Sequence, residues 1–346
     1  MDHEETLLTI TAMRRQEESE YFTRDYFHLN IVEDDEQHER SNTSNVPASP
    51  TKRIARRQRT SCSSLPCDSS CRQIMFQWMI RVVDFFPSMH RTTVAHAMSY
   101  LDRFLQTAAG QTAREMRSEF QLAAIACLYT AVKLHERSAV SPKFLQQLSG
   151  DEYSAEDLTH MELTVLQALG WRLTTPIAVD FLRQFWDVIP AVLLPVDASH
   201  KKNTVQDEIF AVAKHQTEVA MGNYQYVTVY QSTIAFCALS NALDMFVPKA
   251  EDKNNILWYV SQAAHMERPH RNSGNDSSFG SAFTQEISRS LAADASLAAS
   301  RSSKTIPATD GGLVLGYEAV RHYQEDEEMT PSGHHSPRTV HVQNGY

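Results

Sequence analysis

The sequence predicts an all-α protein, and three observations carry that prediction. Apolar residues recur at helical spacing through most of the middle of the chain. Capping residues, prolines and glycines separate these apolar segments at intervals that suit helices. Only 11 of the 346 residues are glycine, which is few for a protein rich in sheets or glycine loops. We therefore expect packed helices joined by short connections.

The stretch 117–136 is predicted to be the central helix, because it contains neither glycine nor proline. Leu122, Ile125 and Tyr129 follow one helical face, and the opposite face, which includes Leu128, is equally apolar. A helix that is apolar all round is buried on all sides. The rest of a helical domain should therefore surround it.

Four more helices complete a five-helix unit of about a hundred residues. They are predicted at residues 70–86, 91–108, 141–149 and 154–169. A serine N-cap begins the first, and Ser-Pro begins the third. A capping-box pattern with Ser154 and Asp157 begins the fourth, which stops at Gly170.

A second set of helices follows Pro176. These helices are predicted at 177–188, 204–221, 225–246 and, more weakly, 254–266. The third of them is apolar and rich in small residues, like the central helix of the first set, so the chain is expected to repeat one helical unit. The second copy is expected to be partly degenerate, because its last helix is not recognisable.

The two ends of the chain are expected to be largely disordered tails. Residues 5–29 are amphipathic and fit either a short helix packed on the main body or a transient helix. Residues 31–69 are acidic, then Ser/Pro-rich and then basic, which predicts a disordered linker. The predicted organisation is a region 1–69, a helical unit 70–175, a second unit 176–266 and a disordered tail 267–346, with a possible helix at 283–300.

The charge distribution argues against nucleic-acid binding. The chain carries a net charge of −10, but residues 70–186 hold 11 basic and 11 acidic side chains. A nucleic-acid-binding domain would show a basic face within the fold. No run approaches the roughly 18 apolar residues of a membrane span, so neither nucleic acid nor membrane is expected as a partner.

No catalytic, cofactor or metal motif is present. The chain lacks GxSxG, HExxH and a phosphate-cradling glycine loop. Cys62, Cys67 and Cys71 have no zinc-type CxxC spacing, and five cysteines in a long chain favour reduced thiols inside a cell. We therefore expect a binding module with no cofactor.

Four segments of the first unit, in this order and at this spacing, resemble a cyclin box. They are CRQIMFQWM (71–79), SYLDRFL (99–105), QLAAIACLYTAVKLHE (121–136) and MELTVLQALGWRLTTPIAVDFL (161–182). The second set, with AKHQTEVAM (213–221) and STIAFCAL (232–239), is similar to the C-terminal cyclin fold. The resemblance implies a five-helix cyclin box followed by a second, partly degenerate cyclin-like repeat. It covers about half of the chain.

The resemblance implies a structural ion pair between Arg72 and Asp102. Such a buried pair fixes register more than it stabilises, because desolvation offsets most of the Coulomb gain. The alternative is two solvated charges, although both residues lie amid apolar runs.

The resemblance also implies a kinase-binding surface. Lys133 and Glu162 match the family's lysine and glutamate that face the kinase, where charge-assisted hydrogen bonds orient the partner. The neighbours expected to supply apolar contact area are Leu134, Leu166, Trp171 and Leu173. Without the resemblance, Lys133 would be read as a solvated cation at a helix C-terminus and Leu166 as a core residue.

A second surface implied by the resemblance is a docking patch for short Arg-x-Leu motifs of substrates or inhibitors. Met75, Trp78 and Gln121 match it, and Cys71 stands where the family usually has methionine. The alternative for Met75 and Trp78 is core filling by an amphipathic helix.

The tails carry possible control elements. Ser49 lies in SPTK, which resembles a kinase target, and Thr330 and Ser336 precede prolines in an acidic segment similar to turnover signals. The basic run 52–59 is either a nuclear localisation signal or a solvated linker. We expect the protein to be located in the nucleus and the cytoplasm.

The leading hypothesis is a cyclin, a noncatalytic subunit that binds and activates a cyclin-dependent Ser/Thr protein kinase in the cell cycle. LPCDS at 65–69 approaches the LxCxE motif of D-type cyclins without its glutamate, which favours a G1/D-type-like member. The alternative is a cyclin-fold adaptor or scaffold, in transcription or other regulation, that activates no kinase. No sequence feature supports an enzyme.

Overall fold

The computed structural model describes residues 3–19, 21–28, 67–137, 140–195, 204–264 and 282–302. Within these ranges all regular secondary structure is helical, so the predicted all-α class is confirmed. The buried apolar side chains form two clusters, each built around one group of helices. No helix in the described ranges is long and apolar enough to cross a lipid bilayer.

Six helices form the first group. They are α2 (Ser69–Phe85), α3 (Arg91–Leu105), α4 (Gln111–Glu115), α5 (Arg117–His135), α6 (Pro142–Leu148) and α7 (Ala155–Ala168). As the sequence predicts, α5 is central: it packs against α3 and α7, and every side chain from Leu122 to Val132 is buried. The short α4 was not predicted. Helix α3 ends at Leu105, before the predicted end at residue 108.

The ends of these helices follow local chemistry. Asp68 caps α2, since its carboxylate accepts from the backbone N–H groups of Ser70 and Cys71; the predicted serine cap is therefore wrong by two residues. Ser141 caps α6, and Ser154 forms the predicted capping box of α7. These caps satisfy N–H groups that a helix cannot satisfy internally.

The second group contains five helices, with α1 (His3–Glu18) packed against them. They are α8 (Ala178–Val188), α9 (Thr204–Gly222), α10 (Gln231–Phe246), α11 (Ala250–Ala263) and α12 (Ala282–Ser302). Helix α10 packs against α8, α9 and α12, so it holds the place that α5 holds in the first group. The predicted helix 225–246 instead begins at Gln231, after a short 3-10 turn at Tyr224–Tyr226.

Helix α12 lies where the sequence predicts a possible helix at 283–300, within a region otherwise expected to be a disordered tail. It packs against α9 and α10, and Leu291 is fully buried in the second cluster with Ile287 beside it. Asp294 accepts hydrogen bonds from Asn223 and Tyr226 at 2.9 and 3.0 Å. The helix thus supplies the last member of the second group, a role that the sequence did not assign to the possible helix at 283–300.

The N-terminal segment is packed on the body, which decides between the two alternatives that the sequence left open. Helix α1 lies on α8, and the buried Glu17 carboxylate accepts from the backbone N–H of Ser232 at 3.0 Å. Beyond α1, residues 21–28 cross to the first group, where Tyr26 is buried and its hydroxyl donates to Asp102 at 2.8 Å. This segment therefore contacts both groups.

Candidate functional site

Arg72 and Asp102 form a buried, two-pronged ion pair between α2 and α3. The guanidinium donates through Nε and Nη2 to the two carboxylate oxygens, each at 2.8 Å. Its third nitrogen donates to the Met221 carbonyl at 2.9 Å, and Tyr26 donates to the same carboxylate. Burial opposes the charged guanidinium, but the Asp102 carboxylate more than offsets it and raises the pKa of Arg72. The pair therefore joins α2, α3, the N-terminal segment and the end of α9.

Lys133 and Glu162 meet in a second ion pair, between the last turn of α5 and the middle of α7. Glu162 is buried, and the Thr130 hydroxyl lies 3.1 Å from its carboxylate. The Lys133 side chain is 42 % exposed and its ammonium lies 4.3 Å from the centre of the Tyr129 ring. A partner therefore meets the lysine first and reaches the glutamate only past it.

Apolar side chains around this pair are exposed to different degrees. Leu134 and Trp171 are 53 and 63 % exposed, while Leu166 and Leu173 are partly buried. Leu173 packs against the first cluster, so it contributes to the core as well as to the rim. Sequence reasoning missed Leu163, which is 46 % exposed and lines a shallow depression on α7 with Leu166 and Glu162.

The backbone at the end of α7 turns sharply before Trp171. Gly170 has φ +58° and Trp171 has φ +61°, and the Trp171 N–H donates to the Leu166 carbonyl at 3.0 Å. Glycine adopts this left-handed conformation freely, whereas a tryptophan there costs roughly 1–2 kcal/mol. A strained backbone that presents a large exposed ring is typical of a binding residue rather than a packing residue.

His135 at the C-terminal end of α5 meets His96 of α3, a pair that the sequence did not indicate. The rings of His96 and His135 stack with centres 3.8 Å apart, and the Tyr100 hydroxyl lies 3.0 Å from His135 Nε2. Because that hydroxyl donates to the Leu173 carbonyl at 2.8 Å, His135 Nε2 must carry the proton. Burial, then the neighbouring His135 and Arg183, lower the pKa of His96 to about 4.

The docking patch predicted at Met75 and Trp78 is wrong for those two residues. Each is only 2 % exposed, and both belong to the first hydrophobic cluster. The reason is helical periodicity: α2 turns Met75, Trp78 and Met79 toward the core. Cys71 and Gln121 are partly buried, and the exposed apolar side chain of this region is Ile74, at 43 %. Ile74 lies out of phase with the buried stripe of α2, and this spacing could have identified it from the sequence as an exposed residue.

Several predicted features cannot be placed. Ser49, Thr330, Ser336 and the basic run 52–59 lie outside the described residues. Within the described part of the chain, no group of three His, Cys, Asp or Glu side chains has an arrangement that could hold a metal ion.

Comparison with known proteins points to one family. Residues 44–174 match the family described as "Cyclin, N-terminal domain". Cyclin-A1-4 of Oryza sativa subsp. japonica is 24 % identical over 195 residues, which cover 56 % of this chain and 51 % of that protein. The G2/mitotic-specific cyclin-B3 of Caenorhabditis elegans is 27 % identical over 188 residues, covering 54 % and 43 %. Cyclin-A1 of Xenopus laevis is 31 % identical over 117 residues, covering 34 % and 27 %.

Among solved structures, a viral cyclin from herpesvirus saimiri has a TM-score of 0.49 and 17 % identity, covering 67 % of this chain and 87 % of its own. The chain spans about half the length of the curated relatives it matches. The relatives named here are A- and B-type, and the G1/D-type character stays a prediction. The matched domain and its relatives agree with the motifs of the first helical group, so residues 44–174 are similar to the N-terminal domain of the cyclin family.

Proposed function

We propose that this chain is a noncatalytic cyclin subunit that binds and activates a cyclin-dependent Ser/Thr protein kinase during cell division. The observation that carries the proposal is the Lys133–Glu162 pair, which lies beside exposed Leu134 and follows family motifs in sequence. The name of one relative, a G2/mitotic-specific cyclin, supports the role in cell division.

The proposed contact combines charge with apolar area. The Lys133 ammonium has three donors, and its partial exposure leaves it within reach of the backbone and side chains of a kinase helix. Hydrogen bonds to such a charged group fix the orientation of a partner. Trp171 is large and rigid, and its exposed ring suits a pocket on the kinase, as interface hot spots do.

Activation follows from differential binding. A kinase needs a correctly placed regulatory helix and an ordered activation segment before its own catalytic groups are aligned. A subunit that contacts these elements only in their active arrangement shifts the population toward that arrangement. The cyclin therefore contributes no catalytic residue, and the chemistry stays with the kinase.

The test uses the purified full chain and a cyclin-dependent kinase. In the Lys133→Ala/Glu162→Ala variant we expect kinase capture and histone-type phosphorylation to fall at least tenfold, since the orienting contacts are gone. The matched control is Lys249→Ala/Glu251→Ala, which also removes one charge of each sign, from exposed positions at the start of α11. Equal capture by both variants, with both folded, would exclude this surface as the interface.

The alternative is an adaptor that binds other proteins without activating a kinase. One observation favours it: Lys133 is already satisfied inside the chain by Glu162 and by the Tyr129 ring, so the pair could serve the fold alone. Kinase capture without phosphorylation, or no capture in wild type, would support the adaptor. The balanced charge of residues 70–186 argues against DNA as its partner.

Two further proposals concern docking and localisation. We propose that short Arg-x-Leu peptides bind near Cys71, Ile74 and Gln121, with Ile74 replacing the buried Met75 and Trp78. Loss of peptide binding in Ile74→Ala would support this, and unchanged binding would contradict it.

The basic run 52–59 supports distribution between nucleus and cytoplasm, which imaging of a variant without its arginines would test.

A further inference from the structure

Two thiols lie together at the start of α2. Cys67 precedes the N-cap Asp68 and is 6 % exposed, while Cys71 is in the first helical turn and partly exposed. The backbone N–H of Cys71 donates to the Asp68 carbonyl at 3.1 Å, so one turn of chain separates the two cysteines. Each side chain lies close enough to the other to shift its pKa.

The surroundings make the two thiols unequal. The Cys67 side chain donates to Cys71, and this bond lowers the pKa of Cys71 to about 6. Burial and the Asp68 carboxylate act against that shift, whereas a backbone hydrogen bond with Asp68 and the charge of Arg117 reinforce it. The same hydrogen bond, together with burial, raises the pKa of Cys67. The lowered pKa favours the thiolate form of Cys71 over that of Cys67, so Cys71 is the more nucleophilic of the two thiols.

The other described cysteines provide an internal contrast. Cys127 on α5 and Cys237 on α10 are both fully buried. Burial raises the pKa of each, to about 12 for Cys237. A thiol that is both protonated and inaccessible is inert toward oxidants, so the unusual chemistry is confined to the start of α2.

We propose that Cys71 and Cys67 form a redox-modification site, in which a peroxide oxidises Cys71 and Cys67 closes a reversible disulfide. The Cys71 thiolate attacks one oxygen of hydrogen peroxide, the O–O bond breaks, and the departing hydroxide takes a proton to become water. Cys71 is then a sulfenic acid. The Cys67 sulfur attacks that sulfur, the S–S bond forms, and the hydroxyl leaves with the Cys67 proton as a second water. Two thiols lose two hydrogens, and a thiol reductant reverses the change.

The position of Cys67 outside the helix makes ring closure feasible. Residues four apart on a helix have Cβ atoms roughly 5–6 Å apart, whereas a disulfide needs about 3.5–4.5 Å. Cys71 is fixed by the first turn of α2, whereas Cys67 lies before the cap with its N–H on the Arg114 carbonyl at 3.1 Å, so the helical spacing does not set the distance between the two side chains. The closed ring would contain the cap residue Asp68 and lie next to Arg72 of the buried ion pair. This inference does not depend on the proposed kinase partner.

The experiment uses the full chain with Cys62→Ser, which removes the neighbouring thiol that lies outside the described residues. Trypsin cuts after Arg59 and Arg72, so both remaining thiols of this region fall in one peptide. After treatment with hydrogen peroxide, we expect that peptide to lose two hydrogens and to regain them with dithiothreitol. Peptides with Cys127 and Cys237 should stay unchanged.

Variants at each position separate the roles of the two thiols. Cys67→Ser, with Cys67→Ala as a second form, should accumulate a sulfenic acid at Cys71 that a dimedone-type reagent traps. Cys67→Ala, which removes the donor, should also move the midpoint of Cys71 alkylation by iodoacetamide, near pH 6 in the parent, to a higher pH. Cys71→Ser should leave Cys67 unlabelled. A parent peptide that keeps both hydrogens, or an alkylation midpoint at the roughly pH 8.5 of a free thiol, would overturn the proposal.

Discussion

Replacing Asp102 with asparagine tests how much the buried ion pair contributes to stability. The substitution keeps the shape of the side chain but removes the charge that faces Arg72. Arg72 is only 3 % exposed, and its guanidinium cannot lose its proton. A buried charge without its partner costs roughly 3–5 kcal/mol. Because an amide N–H₂ would replace one of the two carboxylate oxygens, Arg72 would also face a donor where it now meets an acceptor.

The assay is urea unfolding of the full chain, followed by tryptophan fluorescence because Trp78 is buried in the first cluster. With a slope of about 2 kcal/mol per molar urea, the expected loss lowers the unfolding midpoint by about 2 M. The matched control is Asp84→Asn. Asp84 makes the same two-pronged contact with Arg91, at 2.7 Å for both bonds, but both side chains are more than 40 % exposed.

The exposed pair sets the scale for the comparison. Because solvent screens it, Asp84→Asn should cost less than about 1 kcal/mol. If Asp102→Asn were no more destabilising than Asp84→Asn, burial would not be the source of the cost, and the reasoning would fail. A compensating variant that replaces both Arg72 and Asp102 with leucine should recover part of the loss, since no charge is then left buried.

Three more predictions follow from single side chains. Trp171→Ala should weaken kinase binding by more than tenfold in a titration, with little change in thermal stability, because the ring is 63 % exposed. Leu291→Ala should destabilise the second group by roughly 2–5 kcal/mol in urea unfolding, because Leu291 is fully buried. His96 has a pKa lowered to about 4, chiefly by burial, so the stability from its neutral form is complete above pH 6.5 and is lost as the pH falls toward 4. Unfolding of wild type and His96→Gln across that range should show the difference shrinking with acidity.

Each of these three has its own control. Trp258→Ala removes a ring that is 55 % exposed on α11, and it should leave kinase affinity unchanged. Leu8→Ala, at a site 66 % exposed, should change stability by less than about 0.5 kcal/mol. For His96, the groups that face the stacked pair are Arg183, Asp180 and Glu136. A constant gap between wild type and His96→Gln from pH 7 to pH 4 would contradict the assigned protonation.

The fold was predictable where the signal was local. The uniformly apolar α5 and the capping box at Ser154 are each contained in a few consecutive residues, and the structure has both. Helix α12 was only suspected, because its buried stripe is little more than Ile287 and Leu291 within a stretch of alanine and serine. Its packing depends on α9 and α10, which local spacing cannot reveal.

The candidate site was less accessible to sequence reasoning. Lys133 and Glu162 were paired through the family resemblance, since no spacing rule joins residues on different helices. His96 and His135 went unnoticed for the same reason, as they meet only through the packing of α3 on α5. The misassignment of Met75 and Trp78 was avoidable: both fall on the core stripe of α2, whose phase the sequence already contains.

The N-terminal segment has a consequence for how the chain reaches its native state during synthesis. Glu17 is synthesised before its partner Ser232, which follows 215 positions later in the chain. Domains fold as units in the order in which they emerge. The first helical group can therefore assemble while α1 still has no surface to bind. Docking of α1 on the second group is then a late folding event that closes a long loop, and it occurs only after both groups have formed.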